Sequence, residues 1–145
     1  MKRIDVTVSR VIPASPEEVF RVWVNPKSPG SPWFGCERVI LNAVVDGLFF
    51  HAVGHDGKTW AHYGRFVRLD PGREIEHTWV SEATHGIELV VTVTLTPKGD
   101  DTLLTLRHSN LPDDDMGRGH EEGWKFVAGS LADGFAAKAK AKARA

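Results

Sequence analysis

Ile87-Glu88-Leu89-Val90-Val91-Thr92-Val93-Thr94-Leu95-Thr96 decides the fold class of this chain. Ile87, Leu89, Val91, Val93 and Leu95 fall on one side of an extended backbone. Glu88, Val90, Thr92, Thr94 and Thr96 fall on the other, the period-two alternation of a half-buried strand. Upstream, Arg38 to Val45, Leu48 to Val53, Thr59 to Leu69 and Glu74 to Val80 read as further strands. Asp46-Gly47, His55-Asp56-Gly57-Lys58 and Asp70-Pro71-Gly72 separate them, and downstream Pro97-Lys98-Gly99-Asp100 leads into Thr102 to His108. Turn signals this regular indicate an antiparallel meander.

Helical periods occur only toward the two ends. Ile4 to Ile12 alternates as a first strand, and Pro13 stops it. Ser15-Pro16-Glu17-Glu18 starts a helix: Ser15 caps, Pro16 takes the first position, and Glu18 completes a capping box. Val19, Phe20, Val22 and Trp23 give it an apolar face, and Asn25-Pro26 ends it. At the far end, Trp124, Val127, Ala128, Leu131 and Phe135 form one helical stripe. Asp113-Asp114-Asp115 place negative charge near the positive end of that helix, and Lys138, Lys140, Lys142 and Arg144 place cations at its negative end. Glycines at 117, 119 and 123 leave its first residue open. The class is therefore α+β, a helix-grip arrangement. A curved antiparallel sheet of about seven strands wraps around a long C-terminal helix, with short helices after the first strand. The expectation is one domain over 1–145, with 138–145 as a basic helical tail.

The chain has 145 residues, 41% apolar and 26% charged, which suits one domain with one core. A net charge of −1 supplies no field to recruit nucleic acid. No stretch approaches the roughly 20 apolar residues of a membrane span. The N-terminus lacks the apolar run of a secretory signal, so a cytoplasmic location is expected. The lone Cys36 excludes an internal disulfide and a thiolate-rich metal site.

Several motifs fall in an order that resembles one family. They are Val11 to Phe20, Trp33-Phe34-Gly35, Gly64-Arg65-Phe66, Leu69-Asp70-Pro71, Thr78-Trp79, His108 to Pro112 and His120 to Trp124. Together, from about Val6 to Phe135, they resemble homologues of the activator of heat-shock protein 90 ATPase. That family belongs to the START-like (SRPBCC, polyketide cyclase-like) superfamily. The resemblance implies a cavity between sheet and C-terminal helix that holds a lipid, polyketide, flavonoid-like aromatic or hormone. A minority of such relatives catalyse cyclisation or hydrolysis. Those that stimulate the chaperone carry an additional domain, for which this length leaves no room, so a chaperone partner is disfavoured.

Five Trp, seven Phe and seven His accompany a single Tyr. Strand alternation puts Phe49 with His51, Trp60 with His62 and Gly64, and Ile75 with His77 and Trp79 on shared faces. The expected ligand-binding residues are Trp23, Trp33, Phe49, His51, Trp60, His62, Trp79, His108 and Trp124, with His77 beside them. The competing reading is a filled core whose imidazoles bond backbone; a bulge in the long strand could also turn half the set outward. Loops around Trp33 and Asn110-Leu111-Pro112 are the expected gate. His108 or His62 is the candidate acid–base group if a reaction occurs, and His120 shares a helix face with Trp124. Cys36 has no sequence neighbour to activate it. His51, His55, His62, His77 and His85 lack the short-spaced pairs of a metal site, so neither metal nor cofactor is expected. Ala52 to Thr59 fits a relaxed nucleotide-loop pattern, but a strand follows where a helix would be needed. The reading is a binder of an apolar small molecule, more binder than enzyme, with homodimerisation left open.

Overall fold

The computed structural model describes residues 2–144, with the side chain of Arg144 outside the described set. Its elements are β1 (Arg3–Ile12), α1 (Pro16–Trp23), β2 (Arg38–Leu41), β3 (Leu48–His55), β4 (Lys58–Asp70) and β5 (Glu74–Ser81). A 3-10 turn (Glu82–Thr84) then leads to β6 (Leu89–Lys98), β7 (Asp101–Pro112) and α2 (Asp115–Arg144). The seven strands form one antiparallel sheet in the order β1-β7-β6-β5-β4-β3-β2. β1 therefore lies at one edge beside β7, and the meander from β7 back to β2 supplies the rest. One helix follows β1, and the long α2 packs mainly along β1 and β7.

The inward-facing rows make the core. Val6, Val8, Leu89, Val91, Val93, Leu104 and Leu106 are buried, as is the α2 stripe of Trp124, Ala128, Leu131 and Phe135. α1 starts as its sequence dictates, with the Glu18 N–H donating to Ser15 Oγ at 3.3 Å, and buries Val19 and Trp23. Thr102 Oγ1 donates to the Ala14 carbonyl at 2.7 Å, tying the start of β7 to the chain entering α1. Among the described residues no helix is long and apolar enough to cross a membrane.

The ends of β2 and β7 differ from the sequence expectation, and the start of α2, which the sequence leaves open, is fixed. β2 stops at Leu41, because the turn around Asp46 (φ 67°) begins early and Gly47 N–H closes it onto Val44 O at 2.8 Å. Val44 and Val45 have strand composition but sit exposed in that turn. β7 runs past His108 to Pro112: Asn110 takes a positive φ of 62°, so a bulge rather than a loop carries the strand onward. The Asp5 carboxylate fixes it, accepting the Asn110 N–H at 3.0 Å and Arg107 at 2.6 Å. α2 begins at Asp115, well ahead of Trp124, because Asp114 Oδ1 accepts the Gly117 N–H at 2.8 Å.

Two glycine contacts hold α2 against the rest. A Cβ on Gly117 would collide with the Pro112 carbonyl, and one on Gly134 would lie 3.0 Å from Pro29 O. Gly119 meets nothing within 4 Å. Gly119→Ala should therefore raise stability by about 0.5–1 kcal/mol through helix propensity alone. Gly117→Ala, two residues away, should lower it by about 2 kcal/mol or more, because helix and strand end have to separate. Urea midpoints of the two variants check the opposite signs.

Candidate functional site

The register of the middle strands brings the aromatic and imidazole residues to one face. Phe49 pairs with Gly64 and His51 with His62 across β3 and β4, while Phe66 of β4 pairs with His77 of β5. The β4 bulge falls between Phe66 and Arg68, so the Trp60–Gly64 stretch keeps its inward parity. A Cβ on Gly64 would meet the Thr78 carbonyl and, at 2.8 Å, the ring of Phe49. The missing side chain is what lets Phe49 lie across the sheet, where its ring centroid is 5.0 Å from both Trp33 and His77.

Trp79 organises the other half. His51 and His62 stack at 4.6 Å and 19°, and Trp79 packs against them at 5.5 Å and 4.8 Å. Trp124 reaches down from α2 to within 5.1 Å of Trp79 and donates its Nε1–H to His108 Nδ1 at 3.0 Å. His120, one helical turn earlier, stands edge-on to His108 at 4.9 Å and bonds the Met116 carbonyl through Nδ1 at 2.9 Å. Trp33, beyond α1, donates to the Trp23 carbonyl at 2.7 Å. Trp23, Trp33, Phe49, His51, His62, Trp79, His108 and Trp124 thus converge, with His77 and His120. Trp60 does not join their ring contacts: it stands near the β3–β4 hairpin with the Lys58 ammonium 4.4 Å over its ring.

One contact had no sequence signal. Cys36 Sγ lies 3.6 Å from His51 Nδ1, a pairing made only by the fold of the loop before β2. Burial pushes the Cys36 thiol up and the His51 imidazole down, so the pair is neutral rather than thiolate–imidazolium.

Many polar atoms in this layer have no partner. Trp23 Nε1, His51 Nε2, Trp60 Nε1, His62 Nδ1, His77 Nε2, Trp79 Nε1, Ser81 Oγ and His108 Nε2 are buried and unbonded. Each such group costs about 1–3 kcal/mol relative to a satisfied one, so this cluster is costly unless ordered water or another molecule completes its bonds. Burial, reinforced by neighbouring imidazoles, pushes His51 down to about 3 and His108 to about 2. Burial first, then the neighbouring His120, takes His62 to about 4; burial alone takes His77 to about 4 against its bond to Thr78. Burial also lowers His120.

The space between these groups is a cavity of about 40 Å³. Its lining comes from Trp23 of α1, Pro32 and Trp33 of the following loop, His51, His77 and Trp79 of the sheet, and Trp124 and Val127 of α2. That admits ordered water but no aromatic ring, for which a dry cavity of about 150 Å³ is the known scale. The expected gate at Asn110-Leu111-Pro112 is overturned, because Leu111 is fully buried inside β7 and paired with Ile4. The walls outside the sheet are α1, α2 and the loop carrying Pro32 and Trp33. A wider hollow over the β3–β4 hairpin, lined by Glu37, His55, Asp56 and Lys58, has exposed walls of mixed charge. Among the described residues no three His, Cys, Asp or Glu side chains are placed to hold a metal ion. His108, fully buried with Nδ1 occupied by Trp124, has no proton to give at neutral pH beyond its Nε2–H.

The profile of the family described as Activator of Hsp90 ATPase homolog 1-like protein matches residues 13–136. Several solved structures are similar. A Chromobacterium violaceum protein, CV1439, is 24% identical with a TM-score of 0.73, covering 90% of this chain and 96% of its own. DynU16, described as a protein in the dynemicin biosynthetic locus, is 22% identical with a TM-score of 0.71 over 89% of this chain and 46% of its own. The Aha1 dimer from Colwellia psychrerythraea is 17% identical with a TM-score of 0.67, covering 90% and 94%. These likenesses show the shared fold. No curated protein sequence matches the chain.

The depressed imidazoles make stability pH-dependent, with a definite sign. An unfolded histidine titrates near 6.5, whereas in the fold these groups stay neutral down to about 4 or below. Their contribution is fully present above about 6.5 and is lost as pH falls through the window between the unfolded and folded values. At pH 5 a single such group costs on the order of 2 kcal/mol, and because the shifts are partly mutual the joint loss is not their sum. Urea midpoints should be flat from pH 8 to 7 and fall steeply from pH 6 to 5. A flat profile down to pH 5 would mean that the imidazoles are solvated.

Proposed function

The chain belongs to the Activator of Hsp90 ATPase homolog 1-like family, and from that premise we propose that it binds an apolar or aromatic small molecule. The ligand would be lipid, polyketide or flavonoid-like, held between the sheet and α2. One observation carries the reading: residues with unpartnered buried ring nitrogens gather around a cavity walled by six aromatic or imidazole residues of sheet, loop and helices. Sites for small ligands combine an apolar, aromatic wall with a few placed polar groups. Trp124 lines the cavity from α2 and is anchored there by its bond to His108. Binding on this reading moves Trp124 and Val127 outward with α2, or the Pro32–Trp33 loop away from it, and leaves the sheet in place.

Catalysis is not part of the proposal, since neutral, enclosed imidazoles at His62 and His108 are poor acid–base groups near pH 7. A cytoplasmic setting, in which Cys36 stays a thiol, goes with this reading. Ile40, Val44, Val45 and Leu48 are exposed beside the β2 edge. They support a homodimer as an additional proposal, which sedimentation velocity reads as a doubled mass.

Thermal unfolding against fatty acids, sterols, flavonoids and aromatic polyketides tests the main reading. A ligand at about a hundred times its dissociation constant should raise the midpoint by about 5–10 °C. It should also change tryptophan emission, because Trp79 and Trp124 line the cavity. A shift without such a change would place the ligand elsewhere.

A further inference from the structure

The contact between Cys36 and His51 has no part in the ligand-binding reading. Cys36 Sγ lies 3.6 Å from His51 Nδ1; the thiol is partly open to solvent, while the imidazole is only 6% exposed. Gly35, with a φ of 79°, makes the turn that delivers Cys36 to this place. The His51 ring is held by its neighbours: it stacks on His62 at 4.6 Å and 19°, and Trp33 stands edge-on to it at 5.1 Å. His77, His108 and His120 each bond a carbonyl or an indole N–H. Nε2 of His51 has no partner, and Nδ1 has only the thiol. A thiol is a weak donor and a weak acceptor, so this nine-tenths-buried imidazole lacks one full hydrogen bond. Sulfur and imidazole nitrogen face each other, and both are metal ligands once the thiol proton leaves.

We propose that Cys36 and His51 form a two-ligand site for a soft monovalent cation, of which copper(I) is the biological example and silver(I) the redox-stable probe. Binding is a ligand exchange. The Cys36 S–H bond gives its proton to water, a sulfur–metal bond forms, and His51 Nδ1 donates its lone pair to the same ion; no oxidation state changes. Metal bonds of about 2.0–2.3 Å to imidazole nitrogen and thiolate sulfur bridge the 3.6 Å gap with a bent angle at the ion. A shift of Cys36 by about half an ångström straightens that angle. Thiolate and monocation cancel, so the complex brings no net charge into a half-buried place. Zinc is disfavoured on two counts. It seeks four ligands, and among the described residues no third His, Cys, Asp or Glu side chain is placed to join. A divalent ion would also leave one positive charge uncompensated. Soft sulfur selects copper(I) over the harder cations.

Native mass spectrometry and calorimetry with silver(I) on the full chain test this. One ion per chain is expected, taken up with loss of one proton. Cys36→Ser should abolish binding. His51→Gln, which removes the Nδ1 position, should weaken it by roughly a hundredfold, the upper end of what outer-shell partners contribute. Zinc at the same concentration should leave the chain unloaded. Circular dichroism confirms that each variant is folded, and proton–nitrogen NMR of the wild-type chain gives a readout that needs no variant. Silver(I) should move the His51 Nδ1 resonance and leave those of His77 and His108 in place. Silver(I) held as tightly by His51→Gln as by the wild type, or a His51 resonance that does not move, overturns the inference and leaves Cys36 an ordinary thiol. Binding that survives Cys36→Ser, zinc binding of equal strength, or no uptake of silver(I) overturns it as well. None of these outcomes bears on the cavity ligand.

Discussion

The absence of a side chain at Gly64 is the constraint on which the inner face depends. Its strand partner Phe49 lies over the gap, an arrangement in which an aromatic covers a glycine in a neighbouring strand. From that position Phe49 touches Trp33, Phe66, His77 and Trp79, and so connects the loop after α1 to three strands. A methyl group at 64 would push Phe49 off the sheet and lift Trp33 from the cavity. The His51–His62 stack, one pair further along the same two strands, inherits its placement from this contact.

The layer built on that contact is aromatic in shape and imidazole in chemistry. Rings of Trp and His pack as an apolar core would, yet several of their nitrogens meet nothing. A protein selected only for stability would replace such groups by hydrocarbon, because an unsatisfied buried nitrogen costs more than an apolar atom of the same size. Retaining them makes sense where another molecule completes the bonds. The family and the shared fold leave the identity of that molecule open.

Much of the fold was legible because periodicity and turn chemistry are local. The alternation of β6 from Leu89 onward, the Ser15 cap and the α2 stripe from Trp124 to Phe135 appear where the sequence puts them, whereas Ile87 lies outside the strand and is exposed. The inward set on β3, β4 and β5 was also legible, since the bulge at Phe66–Arg68 falls beyond it. What was not legible depends on contacts distant in sequence. Asn110 enters a left-handed conformation because Asp5, far away on β1, accepts its N–H. That turned an expected gate into strand. Val44 and Val45 read as strand until the Asp46 turn is seen to close on Val44 itself. Cys36 meets His51 only through the path of the loop before β2. The tightness of the cavity depends on how far Trp124 descends from α2, and side-chain depth leaves no trace in a hydrophobic pattern.

The most direct test of this account is long-range proton–nitrogen NMR of the imidazole rings, followed from pH 8 to pH 5. An enclosed layer of neutral rings predicts that His51, His62, His77 and His108 do not titrate across that range. It also predicts that His77 carries its proton on Nδ1 and His108 on Nε2, as their bonds to Thr78 and Trp124 require. Titration of these rings near 6.5, or rapid tautomer exchange in His77, would contradict it, since both would mean a water-filled cleft without fixed donors and acceptors.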